Sequence, residues 1–258
     1  MLANIVKYLM FKDIGGIAVV TAIILAGGTG QRMGNTGMPK QFLKLYGKPI
    51  ICYTLQTFED CDAVDRIVIP CNAAWIGHME KLVKKYNFNK VLKIVDGGKD
   101  RQSSIQKGLS AITDPQDTDV VIIHDGVRPL LREEIIIKNV QTAQEKGNAM
   151  TVQPNIETVV VTSSDCAQDA DFKTREITYT LTSPQTFRTK ELIEAYASID
   201  GDEDLSRLPD AALLLARMGH VIHLVKDMNL NLKITKPEDY CYLKSYLDLN
   251  ENKQILGL

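Results

Sequence analysis

The fold is decided by the stretch from Ala22 to Phe42, which has the sequence A-I-I-L-A-G-G-T-G-Q-R-M-G-N-T-G-M-P-K-Q-F. Its first residues belong to an apolar run, rich in Val and Ile, that extends from Ile17 to Leu25. Such a run is typical of a strand covered on both faces, and strands of this kind occur in parallel sheets with helices packed above and below. The stretch therefore predicts an α/β fold in which a buried strand leads directly into a glycine-rich loop.

The loop after this strand has the composition of a phosphate-binding loop. Its glycines allow positive φ angles and bring backbone N–H groups close to an anion. They are Gly27, Gly28, Gly30 and Gly34. A bare glycine loop is also compatible with a tight turn that binds no ligand, but Arg32 and Lys40 add two cations and favour phosphate binding.

The loop differs from two familiar phosphate-binding motifs. The P-loop requires Gly-Lys followed by Ser or Thr, and no such sequence follows these glycines. The dinucleotide-binding fingerprint requires Gly-x-Gly-x-x-Gly and, about twenty positions further on, an acidic residue at the end of the second strand. Here the gap between Gly30 and Gly34 is one residue too long, and the second predicted strand ends in Ile69-Pro70-Cys71 without a carboxylate.

The composition favours a single globular domain. Hydrophobic residues make up 45% and charged residues 24% of the 258 residues, which are ordinary values for such a domain. The net charge of -2 gives no basic excess for a nucleic-acid or membrane surface, so any anion site must be local. The five cysteines are widely spaced and include no C-x-x-C pair, which indicates reduced thiols in a cytoplasmic protein.

Residues 1–16 precede the predicted domain, which we expect over residues 17–250. Lys7, Lys12 and Asp13 interrupt the apolar residues of this extension, and no small-residue cleavage site follows. This pattern argues against a signal peptide or a membrane span. A short helix packed on the surface and a disordered lead-in are both compatible with the sequence, so the role of the extension stays open.

Strands and helices alternate along the chain after the loop. Helical spacing occurs over 50–58 and 73–86. Each helical segment is followed by a strand pattern, at Arg66–Pro70 and at Val91–Val95. This alternation predicts parallel strands joined by right-handed crossovers. The segment from Gly97 to Ser104 then opens a helix to about Ile112, whose first-turn N–H groups are suited to bind an anion or to be capped by Asp100 or Ser103.

A second buried strand is predicted from Thr118 to Ile123, and it leads into His124-Asp125-Gly126-Val127-Arg128-Pro129. Chemistry in α/β enzymes is located at such strand ends. A carboxylate there suits Mg²⁺, which prefers one or two carboxylates together with phosphate oxygens. The alternative for Asp125 is a side chain that only caps the loop.

These motifs together resemble a known family. Residues 25–34, followed by Pro39-Lys40-Gln41-Phe42, are similar to the signature of the cytidylyltransferases that activate polyol phosphates, namely the methylerythritol phosphate and ribitol 5-phosphate cytidylyltransferases. His-Asp-x-x-Arg-Pro and the closing motif from Asn231 to Asp239 extend the match from about residue 20 to about 245. The resemblance implies a three-layer, Rossmann-like nucleotidyltransferase fold with a mostly parallel sheet and a protruding β-arm.

The resemblance also implies roles for individual residues. The cations that act on the phosphates are Arg32, Lys40 and Lys233. The nucleotide contacts are Ala26, Gly27, Gly28, Thr29, Gly30, Arg101 and Ser104. The residues of the acceptor site are Asp125, Arg128, Thr158, Arg175, Ser183 and Lys233, and Asp125 would also bind Mg²⁺.

Several positions depart from the family pattern. Glu157 replaces the usual Asp, Ser183 replaces the usual Thr, and Gly126 stands where Ala is more common, a change that we expect to matter little for the side-chain roles. Asp210 lies in a segment that resembles a family helix start but lacks its threonine and second acid. Its role stays open.

The segment from about 155 to 182 is predicted to form two strands joined by an exposed turn. An isolated hairpin of this kind is poorly stable unless it packs on something. In the family it is the arm that reaches a second subunit, so the resemblance implies a homodimer.

The implied reaction is transfer of CMP from CTP to a polyol phosphate. The resemblance favours ribitol 5-phosphate as the acceptor, because the sequence is more like the ribitol branch at Leu25-Ala26-Gly27-Gly28, Ala74–His78 and Lys84–Tyr86. Lys236–Asp239 is more like the methylerythritol 4-phosphate branch, which remains the alternative. Two other possibilities are a regulatory nucleotide-binding protein without turnover and a sugar 1-phosphate nucleotidyltransferase that uses UTP or GTP.

Overall fold

A computed structural model describes residues 18–28, 37–163, 170–199 and 208–256. In chain order the strands are β1 (Val20–Leu25), β2 (Lys44–Leu45), β3 (Lys48–Pro49), β4 (Arg66–Cys71), β5 (Val91–Asp96), β6 (Val120–Asp125), β7 (Asn148–Pro154), β8 (Val159–Val161), β9 (Asp171–Lys173), β10 (Tyr179–Arg188) and β11 (Leu224–Lys226). The α-helices are α1 (Ile50–Asp60), α2 (Ile76–Tyr86), α3 (Arg101–Leu109), α4 (Glu133–Lys146), α5 (Thr189–Ser198), α6 (Ala211–Arg217) and α7 (Pro237–Leu256).

Seven of these strands form one central sheet in the order β11-β7-β10-β6-β1-β4-β5. β1 pairs in parallel with β4 and β6, and β4 pairs in parallel with β5. β10 is antiparallel to both of its neighbours, so the sheet is mostly parallel with one reversed strand. The predicted α/β fold is confirmed, and β1 lies inside the sheet as its apolar sequence predicts.

Helices cover both faces of the sheet and divide the core into two main clusters. One packs α1, α2 and α4 against one face, with Phe58 and Leu55 among its fully buried side chains. The other packs α3, α5 and α6 against the opposite face around Phe187 and Tyr196. These two layers on either side of a sheet are the arrangement that buries an apolar strand on both faces.

A third, smaller cluster holds the end of the chain against the start of the domain. Leu243 of α7 packs with Leu45, Ile50, Val127 and Ile234. The hydroxyl of Tyr240 also donates a 2.7 Å hydrogen bond to the carbonyl oxygen of Lys44. The last helix therefore supports the segment around Ile234, which adjoins Lys233.

The segment predicted as an arm, from about 155 to 182, contains β8, β9 and the start of β10. β8 and β9 pair with each other in a separate two-stranded sheet, as expected. Ser183, just beyond the predicted arm, lies within the ten-residue strand β10, which belongs to the central sheet. Within the described part of the chain, no helix is both long and apolar enough to cross a membrane.

Candidate active site

A cleft of about 360 Å³ opens at the carboxyl ends of β1 and β6. This edge of a parallel sheet is where α/β proteins bind ligands. The lining combines the glycine loop, the turn after it, the start of α3, the end of β6 and the closing motif. The lining residues are Leu25, Ala26, Gly27, Gly28, Lys40, Gln41, Gly98, Lys99, Asp100, Arg101, Ser104, Asp125, Val127 and Lys233.

Asp125 is the charged centre of this cleft. It is the last residue of β6 and lies opposite Leu25 in the register of β1 and β6. Arg101 forms an ion pair with its Oδ1 atom. Its Oδ2 atom lies 2.9 Å from Nε of Arg128 and 3.2 Å from Nζ of Lys233. Three cations from three separate segments therefore surround one carboxylate.

This arrangement keeps Asp125 ionised although it is buried. Burial alone would raise the pKa of its carboxyl group. The charges of Arg101, Lys233 and Arg128 outweigh that effect and hold the pKa well below its usual value. Asp125 is therefore a fixed negative charge throughout the physiological pH range.

The backbone fixes two of these cations. Nη1 of Arg128 donates a 2.7 Å hydrogen bond to the carbonyl oxygen of Asn231. The backbone N–H of Ile234 donates a 2.9 Å hydrogen bond to the carbonyl oxygen of Val127. The closing motif is thus attached to the loop after β6, and Lys233 lies beside Asp125.

Glycines allow the two loops of the cleft to approach closely. A Cβ atom at Gly27 would lie 3.2 Å from Oγ of Ser104, and one at Gly97 would lie 3.2 Å from the Cα atom of Gly27. Side chains at either position would push the glycine loop away from α3. The two predicted nucleotide-binding segments therefore do meet at one place.

The start of α3 uses its polar side chains for capping and for loop structure. Asp100 accepts a 2.8 Å hydrogen bond from the N–H of Ser103 and forms a reciprocal capping box with it. The hydroxyl of Ser104 accepts a hydrogen bond from the N–H of Gly98 at 3.0 Å and donates one to the carbonyl oxygen of Asp100 at 2.7 Å. Asp100 and Ser104 therefore stabilise the local backbone and also line the cleft.

Asp210 was left without a role by the sequence, and the structure brings it to Arg101. Its Oδ1 atom lies 3.7 Å from Nε of Arg101 and accepts a 2.7 Å hydrogen bond from the buried side chain of Gln185. Arg101 consequently lies between two carboxylates. No local sequence signal connects these residues, because the three come from α3, β10 and the start of α6.

Ser183 lies behind Asp125 and does not line the cleft. It is 1% exposed, and its hydroxyl accepts a 3.3 Å hydrogen bond from the N–H of Asp125 and lies 3.0 Å from Nδ1 of His124. Burial lowers the pKa of His124 to about 3, so the ring is neutral. In this chain Ser183 supports the backbone of Asp125, and its contact with an acceptor stays a prediction.

Gly126 is more constrained than we expected from the sequence. A Cβ atom there would lie 2.9 Å from the carbonyl oxygen of Leu25 and 3.1 Å from Cδ1 of Ile51. Because the first of these is a backbone atom, an alanine would require a shift of the strand ends next to Asp125. This packing concerns the backbone, and the expectation that the change matters little for the side-chain roles stays a prediction.

The remaining predicted site residues lie elsewhere. Thr158 is exposed just before β8, and the side chain of Arg175 is 64% exposed and pairs with Glu176 at 3.3 Å. Neither lines the cleft of this chain. Thr29, Gly30 and Arg32 lie outside the described residues, so their roles stay predictions, as does the extension of residues 1–16.

The donor set suits a Mg²⁺ ion that is shared with a substrate. Among the described residues, no group of three or more His, Cys, Asp or Glu side chains is arranged to enclose a metal ion. Mg²⁺ does not need such a cage, because it commonly binds through one or two carboxylates and the phosphates of a substrate. Asp125 fits this mode if Arg101 and Lys233 leave its carboxylate and pair with the substrate phosphates instead.

Comparison with known proteins shows the family of the chain. A statistical model of the family described as IspD, 2-C-methyl-D-erythritol 4-phosphate cytidylyltransferase, matches residues 20–248. The chain belongs to this family. The family is one of CTP-dependent nucleotidyltransferases, so the chain is an enzyme of that class, and the resemblance inferred from its motifs is confirmed.

Its curated relatives carry a different name within the same class. A protein of Vibrio parahaemolyticus named ribitol-5-phosphate cytidylyltransferase is 38% identical over 92% of this chain and 99% of its own length. One of Lactiplantibacillus plantarum with the same name is 38% identical over 86% of this chain and 95% of its own length. The match therefore covers nearly the whole length of both relatives.

Solved structures support the fold. The crystal structure of 4-diphosphocytidyl-2C-methyl-D-erythritol synthase from Anaerococcus prevotii has a TM-score of 0.78 and 26% identity. It covers 90% of this chain, and 96% of that protein is matched. The corresponding cytidylyltransferase of Francisella tularensis has a TM-score of 0.71 and 25% identity, with 88% of this chain and 98% of that protein covered. The nucleotidyltransferase fold is thus confirmed.

Proposed function

We propose that the enzyme transfers CMP from CTP to D-ribitol 5-phosphate and forms CDP-ribitol and pyrophosphate. The observation that supports this most strongly is the group of three cations around the buried carboxylate of Asp125, which lines the same cleft as the glycine loop. A site of this kind can hold two anionic substrates together. The name shared by the curated relatives supports the choice of acceptor.

In the proposed reaction a phosphate oxygen of the acceptor attacks the α-phosphorus of CTP. The new P–O bond forms as the bond to the β-phosphate oxygen breaks, and the leaving group is pyrophosphate. The attacking oxygen is already anionic, so no general base is needed. The protein must bring two repelling anions together and neutralise the charge that develops on the phosphates.

The positions of the described cations support the roles that we assign to them. Lys40 lines the cleft beside the glycine loop, where the triphosphate would bind. Arg32 lies outside the described residues, and its role at the triphosphate rests on the resemblance alone. Lys233 also lines the cleft, 3.2 Å from Oδ2 of Asp125, and Arg128 pairs with the same oxygen at 2.9 Å without lining the cleft itself. Both would contact the acceptor phosphate. Arg101 and Ser104 would contact the nucleotide from the start of α3.

We further propose that Mg²⁺ is the cofactor and that Asp125 holds it together with the triphosphate. When bound, the ion would neutralise phosphate charge and orient the α-phosphate for attack. Arg101 has a second carboxylate, Asp210, within 3.7 Å, so it would not be left unpaired when Asp125 binds the ion.

We propose that the enzyme is a cytoplasmic homodimer. The described cysteines Cys52, Cys61, Cys71 and Cys241 are all free thiols, which supports a reducing compartment. The arm carries exposed apolar side chains that suit a partner surface, with Ile156 81%, Phe172 63% and Ile177 69% exposed. Thr158 and Arg175 lie on this arm, and in a dimer they would reach the partner's cleft.

The acceptor is tested by comparing kcat/KM for D-ribitol 5-phosphate and 2-C-methyl-D-erythritol 4-phosphate with CTP. We expect at least about a tenfold preference for ribitol 5-phosphate, because one or two satisfied hydroxyl contacts are enough for such a ratio. The family description and the solved structures name the other acceptor, so it is the specific alternative. A tenfold preference for methylerythritol 4-phosphate would overturn the choice of acceptor but not the cytidylyl transfer.

The cations of the glycine loop are tested by Lys40→Ala and Arg32→Ala. Each change should lower kcat/KM by roughly a hundredfold or more, because loss of one contact to developing charge typically costs about 3 to 4 kcal/mol. Lys44→Ala is the matched control, since Lys44 is an exposed lysine in the adjacent strand and does not line the cleft. Near-normal turnover in both cleft variants would refute the role of this loop.

Assembly is tested by light scattering at micromolar concentration. We expect the wild type to have the mass of two chains, and Phe172→Glu with Ile177→Glu to shift the mass towards one chain, since charge opposes burial of the arm. Leu92→Glu changes a comparably exposed leucine in the edge strand β5 and should leave the dimer intact. A wild type with the mass of one chain would contradict the proposed dimer.

A further inference from the structure

Gln41 connects two parts of the cleft that are separated in sequence. It is 1% exposed and directly follows Lys40 in the short 3₁₀ turn Lys40–Phe42. Its Nε2 atom donates hydrogen bonds to the carbonyl oxygen of Ala26 at 2.7 Å and to that of Gly28 at 3.0 Å. One side chain therefore ties the turn that carries Lys40 to the glycine loop.

These two bonds also orient the peptide groups of the loop. The carbonyl of one residue and the N–H of the next point in opposite directions across a trans peptide. With the carbonyl of Ala26 directed at Gln41, the N–H of Gly27 must point away from the Gln41 amide. Gly27 lines the cleft, so Gln41 determines how this part of the loop meets a ligand.

The other side of the same turn is fixed by aromatic packing. The ring of Phe42 is 1% exposed and stacks on Trp75 with ring centroids 5.1 Å apart. His78 approaches the same ring edge-on at 4.9 Å. The turn itself is closed by a 2.9 Å hydrogen bond from the N–H of Phe42 to the carbonyl oxygen of Pro39. The backbone of Lys40 is therefore held between two anchors.

We propose that Gln41 is a positioning residue, which holds Lys40 and the glycine loop in the one relative geometry that binds the triphosphate. This inference rests on the proposed function, because it assigns Lys40 and the loop to the same phosphates. Gln41 touches neither reacting atom in this role. It acts by preventing the loop and the lysine from moving apart, since a displacement of about 1 Å is enough to reduce turnover a hundredfold.

Two substitutions separate positioning from simple space filling. Gln41→Met keeps nearly the same length but removes both donors. Gln41→Asn keeps the carboxamide but is one methylene shorter, so it cannot reach both carbonyls. Both variants are expected to lose some stability, because buried carbonyl groups lose hydrogen bonds. The milder Gln41→Asn remains usable if Gln41→Met does not fold.

Asn139 provides a matched control for that loss of stability. It is fully buried in α4, and its Nδ2 atom donates to the carbonyl oxygen of Ile135 at 2.8 Å and to Oγ1 of Thr151 at 2.9 Å. Its side-chain amide thus donates as many hydrogen bonds as that of Gln41, but Asn139 does not line the cleft. Asn139→Leu should lower the melting temperature and leave the affinity for CTP unchanged.

The experiment measures the Kd of CTP by calorimetry in the presence of Mg²⁺, and kcat/KM, in single and double variants with Lys40→Ala. We expect Gln41→Met to weaken CTP binding at least about tenfold, a loss of roughly 1.4 kcal/mol. In the Lys40→Ala background the same change should lower kcat/KM less than about threefold further, because residues that act as a unit are not additive.

Each outcome decides the inference. Normal CTP affinity in a folded Gln41→Met or Gln41→Asn variant, or full additivity with Lys40→Ala, would overturn it. A loss of affinity in Asn139→Leu equal to that in the Gln41 variants would overturn it too, since the effect would then reflect stability alone. Failure of the proposed function is distinct: it would appear as absent cytidylyl transfer by the wild type, whatever the CTP affinities.

Discussion

The rest of the cleft depends on the buried negative charge of Asp125. An ionised carboxylate out of contact with water is costly unless cations and hydrogen bonds compensate it. Arg101, Arg128 and Lys233 supply the cations. The hydroxyl of Ser183 accepts a hydrogen bond from the backbone N–H of Asp125. Because each partner comes from a different segment, this one charge fixes α3, the loop after β6 and the closing motif relative to each other.

In the proposed mechanism the cations pass from Asp125 to the phosphates of the substrates. A triphosphate carries more negative charge than a single carboxylate, so it can attract cations that otherwise pair with Asp125. In the proposed mechanism Arg101 moves its interaction towards the nucleotide and Asp210, and Asp125 becomes available to Mg²⁺. Gln41 connects the glycine loop to the turn of Lys40.

Sequence reasoning predicted the features whose causes are local. Short sequence patterns predict the buried strands β1 and β6, the glycine loop before Lys40 and the position of Asp125 at a strand end. The family match confirms the resemblance that these patterns carry. The pairing of Arg101 with both Asp125 and Asp210 was missed, because 24 and 109 residues separate the partners. Ser183 was predicted as a substrate contact, but its burial in β10 depends on the tertiary pairing with β6.

The central claim is that Asp125 holds the cations in the apo enzyme and Mg²⁺ in the nucleotide complex. Calorimetric titration with CTP, with and without Mg²⁺, tests it in the wild type, in Asp125→Asn and in the control Asp96→Asn, which changes the exposed carboxylate at the end of β5. The account predicts that Mg²⁺ strengthens CTP binding in the wild type and the control only, and that metal-free CTP binds Asp125→Asn at least as tightly as the wild type. Equal strengthening by Mg²⁺ in all three proteins would contradict it.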